Sequence, residues 1–153
     1  MFDILVIGAG PTGLVSALTF AKVGYEVAVI DPVNRAGVAA NKYSDRPPDH
    51  RTTAHLSPTV EFLKNLGAWN EISRNACALE KLVIIEDTSQ NPTFGSRKST
   101  VFDPLEVGNQ NFGYNVPIKD NLEGLAKLAR ANSSITMIFG VSLKTIIQDD
   151  KAV

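Results

Sequence analysis

Cysteine is almost absent: Cys77 is the only one in 153 residues. No intrachain disulfide can form, and a metal site built on thiolates is not expected. A lone thiol of this kind is expected as a small buried or half-buried apolar residue. Histidine is nearly as scarce, with His50 and His55 alone, and loop exposure rather than proton transfer is expected of both. Neither sign of charge dominates, since 15 Lys and Arg stand against 16 Asp and Glu for a net −1. Such a balance supplies no field that would draw nucleic acid, and no partner of that kind is expected. No run approaches the roughly 18 apolar residues of a spanning helix. Met1-Phe2-Asp3 puts no basic region ahead of the first apolar stretch, so a secretory leader is not expected and a cytoplasmic location is. Internal repeats and low-complexity segments are also missing.

What remains is an ordinary globular mixture, 44% apolar and 20% charged, long enough for one domain with a real core. Its most informative part comes first. Residues 2–7 read as an apolar strand, followed at once by Gly8-Ala9-Gly10-Pro11-Thr12-Gly13. A helix is predicted over 11–23, with small Ala17 and Ala21 permitting close packing and Gly24 ending it. A second strand, 26–30, runs into Asp31. Strand, glycine turn, helix, strand and acid stand in the order of a dinucleotide-binding βαβ unit, with the acid roughly 20 residues after the turn.

Each part of the turn has a physical task. Gly8 lets the chain turn tightly off the strand, Gly10 leaves room for a pyrophosphate, and Gly13 lets helix and strand approach. Ala9 and Pro11 complete the cradle. Pro11 presets φ where the helix begins, and the helix N-terminus offers N–H groups and a positive dipole end to phosphates. Asp31 can accept both ribose hydroxyls of an adenosine and would repel a 2′-phosphate, which argues against NADP. Arg51, at the end of a polar loop over 34–51, is placed where it could return to the pyrophosphate.

Further on, Ser57-Pro58 predicts an N-cap with proline at N1 and a helix through Leu66, stopped by Gly67. Residues 81–86 and 100–102 read as an antiparallel pair outside the nucleotide sheet, joined through a turn-rich 87–98. A helix over 121–131 carries Leu122, Leu125, Leu128 and Ala129 at helical spacing. Strands are predicted at 135–139 and 143–147, with a turn at Asp149-Asp150-Lys151. The expected fold class is α/β: a Rossmann-like βαβ core with part of an antiparallel sheet. The expected division is a nucleotide-binding core with the Arg51 loop and helix over 1–78, partial strands of a second domain over 79–110, and a return to the first domain over 111–153.

The stretch from Asp3 to Leu14, with Val29-Ile30-Asp31-Pro32, resembles the FAD-dependent aromatic-ring hydroxylases. Arg51-Thr52-Thr53-Ala54-His55-Leu56-Ser57-Pro58, then Phe62-Leu63, Leu66-Gly67 and Trp69, is similar to the ubiquinone-biosynthesis branch, the polyprenylphenol hydroxylases. Phe112-Gly113-Tyr114-Asn115-Val116-Pro117 resembles that branch's next region. The resemblance implies FAD as cofactor, held by Gly8, Ala9, Gly10, Pro11 and Gly13, with Asp31 on the adenosine ribose and Arg51 at the FAD phosphates. It implies NAD(P)H and O₂ as co-substrates and a polyprenylated phenol or quinol as the molecule hydroxylated, met at or beside the inner membrane or in a multiprotein assembly. A further polar residue that contacts the cofactor in the family has no clear counterpart in Ile118-Lys119-Asp120-Asn121.

Family members are far longer, so the chain is expected to be an N-terminal portion, inactive alone and prone to self-association through uncovered apolar surface. No catalytic side chain is assigned, because in this chemistry the flavin performs the reaction. Two other classes fit the residues: a non-catalytic nucleotide-binding module or remnant, and another FAD- or NAD-dependent oxidoreductase.

Overall fold

The computed structural model describes residues 1–33, 50–86 and 98–147. The polar loop before His50, the turn-rich stretch before Lys98 and the expected turn at Asp149-Asp150-Lys151 fall outside them. Among the described residues three sheets form: a parallel one, a small antiparallel one and a two-stranded ribbon.

The parallel sheet is built from β1 (Ile4–Ile7), β2 (Val27–Asp31) and β8 (Ile135–Phe139), with β2 in the middle. Ile4 lies beside Val27 and Ile7 beside Ile30, while Val27 lies beside Ile135 and Asp31 beside Phe139. Parallel neighbours need a crossover, and the first is α1 (Pro11–Lys22). Before β8 the crossover ends in α4 (Ile118–Ala131). Leu14 and Ala17 of α1, Val27 and Val29 of β2, and Leu125 and Ala129 of α4 meet in one buried core. Small Ala17, Ala126 and Ala129 let the two helices come close to the sheet and to each other. Leu14, Leu63, Ile72 and Leu125 are fully buried, each contributing about 1.5–3 kcal/mol.

Between β2 and α4 the chain makes a second layer. β3 (Thr52–Leu56) pairs antiparallel with β7 (Gly113–Pro117), and the short β4 (Cys77–Ala78) lies on the other side of β7. The helices α2 (Ser57–Leu66) and α3 (Trp69–Ile72) complete the wall. Gly113 has φ +141°, and a Cβ there would fall 2.0 Å from the His55 carbonyl oxygen. Only glycine permits β3 and β7 to approach at that end. Gly124 plays the same part for helices: a Cβ on it would lie 2.8 Å from the Glu71 carbonyl oxygen and 2.8 Å from Ile72 Cγ2.

The ribbon, β5 (Leu82–Glu86) with β6 (Lys98–Phe102), is antiparallel and separate from the nucleotide sheet, as the sequence predicts. All five β5 residues are exposed.

Several expectations are corrected. No strand forms at 143–147, where the chain carries exposed Leu143, Ile146 and Ile147 and pairs with no strand among the described residues. The helix expected from Asn121 begins at Ile118, directly after Pro117, which is both the last residue of β7 and the N-cap of α4. Ser57 is the first helical residue rather than the cap, and its hydroxyl donates to the Asn111 carbonyl (3.3 Å) instead of closing the helix end. Cys77 is exposed, not buried, because β4 lies at the sheet margin. His55 lies not in a loop but in β3, half-buried. Among the described residues no helix is long and apolar enough to cross a membrane.

Candidate functional site

In an open parallel sheet the crevice lies at the carboxyl ends of the strands. Here that end of β1 runs into the glycine turn. Gly8 has φ +104°, a conformation L side chains avoid, and its N–H donates to the Ile30 carbonyl (2.8 Å). Gly13 lies inside α1, where a Cβ would fall 1.9 Å from the Gly8 carbonyl oxygen. The fold therefore needs glycine at both positions. At Gly10 it does not. Gly10 has φ −73° as the N-cap of α1, and a Cβ there would meet nothing within 4 Å. Its missing side chain leaves open space in front of the helix end.

That helix end is uncapped by any side chain, and Pro11 occupies the first turn. The N–H groups of Thr12 and Gly13 belong to the orphan donors of a helix start. They carry the positive end of the helix dipole and face no acid of their own first turn.

Asp31 closes the other side of the turn. Its Oδ2 accepts from the Ala9 N–H (2.8 Å) and its Oδ1 from the Val33 N–H (2.8 Å). Its carbonyl accepts from Gly140 (2.9 Å) and Val141 (3.3 Å). At 5% exposure it is a buried acid, not a solvated turn residue. Asp31 thus holds the glycine turn and the ends of β2 and β8 together.

Arg51 is exposed, one residue before β3, and its carbonyl accepts from the Ile118 N–H at the start of α4 (3.0 Å). Both α1 and α4 run back against parallel strands, and they pack on each other. Their N-termini consequently lie at the same end of the sheet, where the glycine turn is. The fold gathers Gly8, Ala9, Gly10, Pro11 and Gly13 where β1 turns into α1, with Asp31 beside them at the end of β2, and sets the Arg51 backbone at the same end.

Two further residues stand close to these and were not singled out from the sequence. Asn121 is 1% exposed, and its Oδ1 is 2.8 Å from His55 Nε2. Arg130 lines a hollow of about 10 Å³ that Ala9, Leu122 and Phe139 also line. Nothing in the helical spacing of α4 marks either one; only the approach of α4 to β3 and to the turn does. A larger groove of about 770 Å³ runs between α3 and α4, lined by Glu71, Arg74, Lys119, Asp120, Glu123 and Lys127. Several of its charges are paired: Lys127 and Arg74 reach Glu71 and Lys119 reaches Glu123, while the neutral Asn75 donates to Asp120. The hydrogen bond from Lys127 is the main cause that holds the Glu71 carboxyl below its ordinary value, against a smaller opposing effect of burial. Among the described residues no three His, Cys, Asp or Glu side chains gather as metal ligands would.

A protein-family model of an NAD(P)-binding Rossmann-like domain matches residues 6–69. The fold is Rossmann-like. Among solved structures the chain is similar to p-nitrophenol 4-monooxygenase PnpA from Pseudomonas putida DLL-E4, with TM-score 0.68 and 18% identity over 98% of this chain and 34% of that one. It is similar to P. aeruginosa PqsL in complex with 2-aminobenzoylacetate, with TM-score 0.63 and 16% identity over 99% of this chain and 36% of the other. It is also similar to aklavinone-11 hydroxylase in a ternary complex with FAD and aklavinone, at TM-score 0.63 and 25% identity, covering 99% of this chain and 28% of that one. The chain thus spans about a third of the length of these structures. No curated protein matches it in sequence.

Proposed function

We propose that this chain is the FAD-binding portion of an FAD-dependent aromatic monooxygenase. One observation carries the reading. Of the three glycines in the turn, Gly10 alone is required neither by its φ nor by packing. A residue the fold does not constrain, beside an uncapped helix N-terminus, suits a phosphate that must come close to backbone. The solved structures add a second support, since they include an aromatic monooxygenase and a hydroxylase holding FAD.

In this reading the pyrophosphate lies over Gly10 and the Thr12 and Gly13 N–H groups. Arg51 adds a charge-assisted contact, and Asp31 borders the adenosine ribose. The Asp31 carboxylate accepts from the Ala9 and Val33 N–H groups, which fixes its place at the end of β2 beside the turn. When bound, FAD supplies the redox chemistry, with NAD(P)H as reductant and O₂ as oxidant. This chain's residues bind and orient its ADP half. For the molecule hydroxylated we propose a polyprenylated phenol or quinol of ubiquinone biosynthesis, on the strength of the Arg51–Pro58 and Phe112–Pro117 stretches. A long prenyl tail implies a peripheral encounter with the inner membrane.

A second reading has its own support. The family model that matches residues 6–69 is that of an NAD(P)-binding Rossmann-like domain, which suits a module that binds a dinucleotide without completing the chemistry. Titration of the chain with FAD, and with ADP, decides the binding. A Gly10→Val variant that folds as wild type should lose affinity at least tenfold. Equal binding by the two would remove the site. Supplying FAD, NAD(P)H, O₂ and a polyprenylphenol to this chain and to a full-length parent in parallel then separates the two readings: hydroxylated product from the parent but not from this chain favours the monooxygenase portion, and FAD binding without product from either favours the module.

A further inference from the structure

β3 is fastened to the first turn of α4 at two points. One is main chain: the Ile118 N–H donates to the Arg51 carbonyl (3.0 Å). The other is made by side chains. Asn121 Nδ2 faces the carbonyls of Pro117 (3.4 Å) and Val116 (3.5 Å), so its Oδ1 is the acceptor presented to His55 Nε2 at 2.8 Å. Turning the amide over would set an oxygen against two carbonyl oxygens. His55 Nε2 therefore carries the proton. Asn121 is 1% exposed, and a buried amide this deep is costly unless paired.

The strand geometry relates this pair to Arg51. Ile118 N–H to Arg51 and Ser57 N–H to Phe112 bracket the β3–β7 ladder. Thr52, Ala54 and Leu56 occupy its non-hydrogen-bonded positions, so Pro117, opposite Thr52, costs β3 no donor. His55, in a hydrogen-bonded position opposite Tyr114, is tied by its main chain to β7 and by its ring to α4. Arg51 lies in phase with Thr53 and His55, one residue beyond the ladder, and its carbonyl is tied to the Ile118 N–H. Fixing His55 to Asn121 holds the strand against α4 and keeps that last bond in place.

We infer that the His55–Asn121 pair is a positioning device for Arg51, setting where its guanidinium stands relative to the phosphates of a bound dinucleotide. The inference rests on the FAD-binding reading above. A pair that only stabilised the fold would affect melting alone. A positioning pair affects binding, and only while Arg51 is there to be positioned.

The test uses the whole chain and FAD, with affinity from calorimetry. His55→Met keeps bulk and removes the donor. His55→Gln restores an N–H that can reach Asn121. Arg51→Ala should weaken FAD binding about tenfold or more. H55M should weaken it roughly three- to tenfold, H55Q should recover most of that, and H55M should cost nothing further when Arg51 is already alanine. Without any ligand, amide hydrogen exchange at Ile118 should quicken in H55M and not in H55Q, while Gly8 stays as in wild type. Should H55M not fold, Asn121→Ser, which withdraws the acceptor, takes its place in the same cycle. An unchanged affinity, or an equal loss with and without Arg51, overturns the positioning role while the FAD site stands. Failure of the wild-type chain to bind FAD overturns the site itself, and this inference with it.

Discussion

The Asp31 carboxylate accepts the Ala9 N–H at 2.8 Å and so holds the glycine turn from the end of the neighbouring strand. The bond joins β2 to the turn after β1 and is buried. Replacing Asp31 with asparagine would keep one acceptor and bring an NH₂ group against an amide hydrogen. One buried N–H would then lack a partner, at a cost of about 1–3 kcal/mol. Asp31→Asn should lower the melting temperature measurably, and calorimetric unfolding of the two proteins checks this. Equal melting would mean that the turn holds its shape without the clasp.

The three glycines of the turn should separate cleanly by alanine substitution. Gly13→Ala places a methyl 1.9 Å from the Gly8 carbonyl oxygen, and helix and strand must part. A loss of about 1–3 kcal/mol or more is expected. Gly8→Ala meets no atom within 4 Å but is strained by φ +104°, costing about 1–2 kcal/mol. Gly10→Ala meets neither obstacle and should melt with wild type. Chemical denaturation of the three variants ranks them, and a destabilised Gly10→Ala would sink the argument that a ligand, not the fold, needs that glycine.

Gly124 supports a prediction on helix packing. Alanine there would press on the Glu71 carbonyl and on Ile72 Cγ2, both at 2.8 Å. α4 would have to shift off α3, with an expected loss of about 1–3 kcal/mol. Urea unfolding measures it; an unchanged midpoint would show that the two helices slide apart freely.

The same interface has a pH dependence. Glu71 is held below its ordinary value of 4.5, mainly by the hydrogen bond from Lys127, with the charges of Lys127 and Arg74 adding to it. For a depressed carboxyl the stabilisation is fully present above the unfolded value and is lost as pH falls through the folded one. Titration followed by carboxyl carbon shifts should find Glu71 below 4.5, and Lys127→Ala should move it back upward. A Glu71 that titrates alike in both proteins would remove the contact from solution. Lys127 is exposed and Glu71 only half-buried, so the pair's effect on stability should also fade in salt.

The most local signals were the most legible. Residues 2–7 and 26–30 are apolar runs joined by a glycine turn and a helix, and their order alone implies parallel strands. The antiparallel ribbon announced itself by two apolar runs around polar residues. The β3–β7 sheet did not. Thr52-Thr53-Ala54-His55-Leu56 has no apolar alternation, because its inner face is polar: His55 finds Asn121 only through a contact 66 residues away. Leu143–Ile147 failed in the opposite sense, since a strand pattern without a neighbour makes no ladder. Asp31 was expected at the end of the second strand and lies there, yet its bond to Ala9 depends on side-chain reach, which spacing does not reveal.

The ribbon supports the last prediction. Leu82, Val83, Ile84 and Ile85 are at least half exposed, and Val101 across the ladder is too. Alternating residues of a strand face opposite sides, so the ribbon is apolar on both faces. Among the described residues neither edge of it is paired, and a two-stranded ribbon is marginal by itself. Unblunted edges and apolar faces recruit further strands. The parallel sheet adds Leu5 and Ile7, each 52% exposed on the face away from the helices. At rising concentration the chain should therefore self-associate, seen as a growing hydrodynamic radius in light scattering. Val83→Lys with Ile85→Lys puts charge on one ribbon face and should suppress this growth while leaving the core, and the melting transition, as they were. A wild-type chain that stays monomeric at high concentration would mean that the ribbon is covered from within.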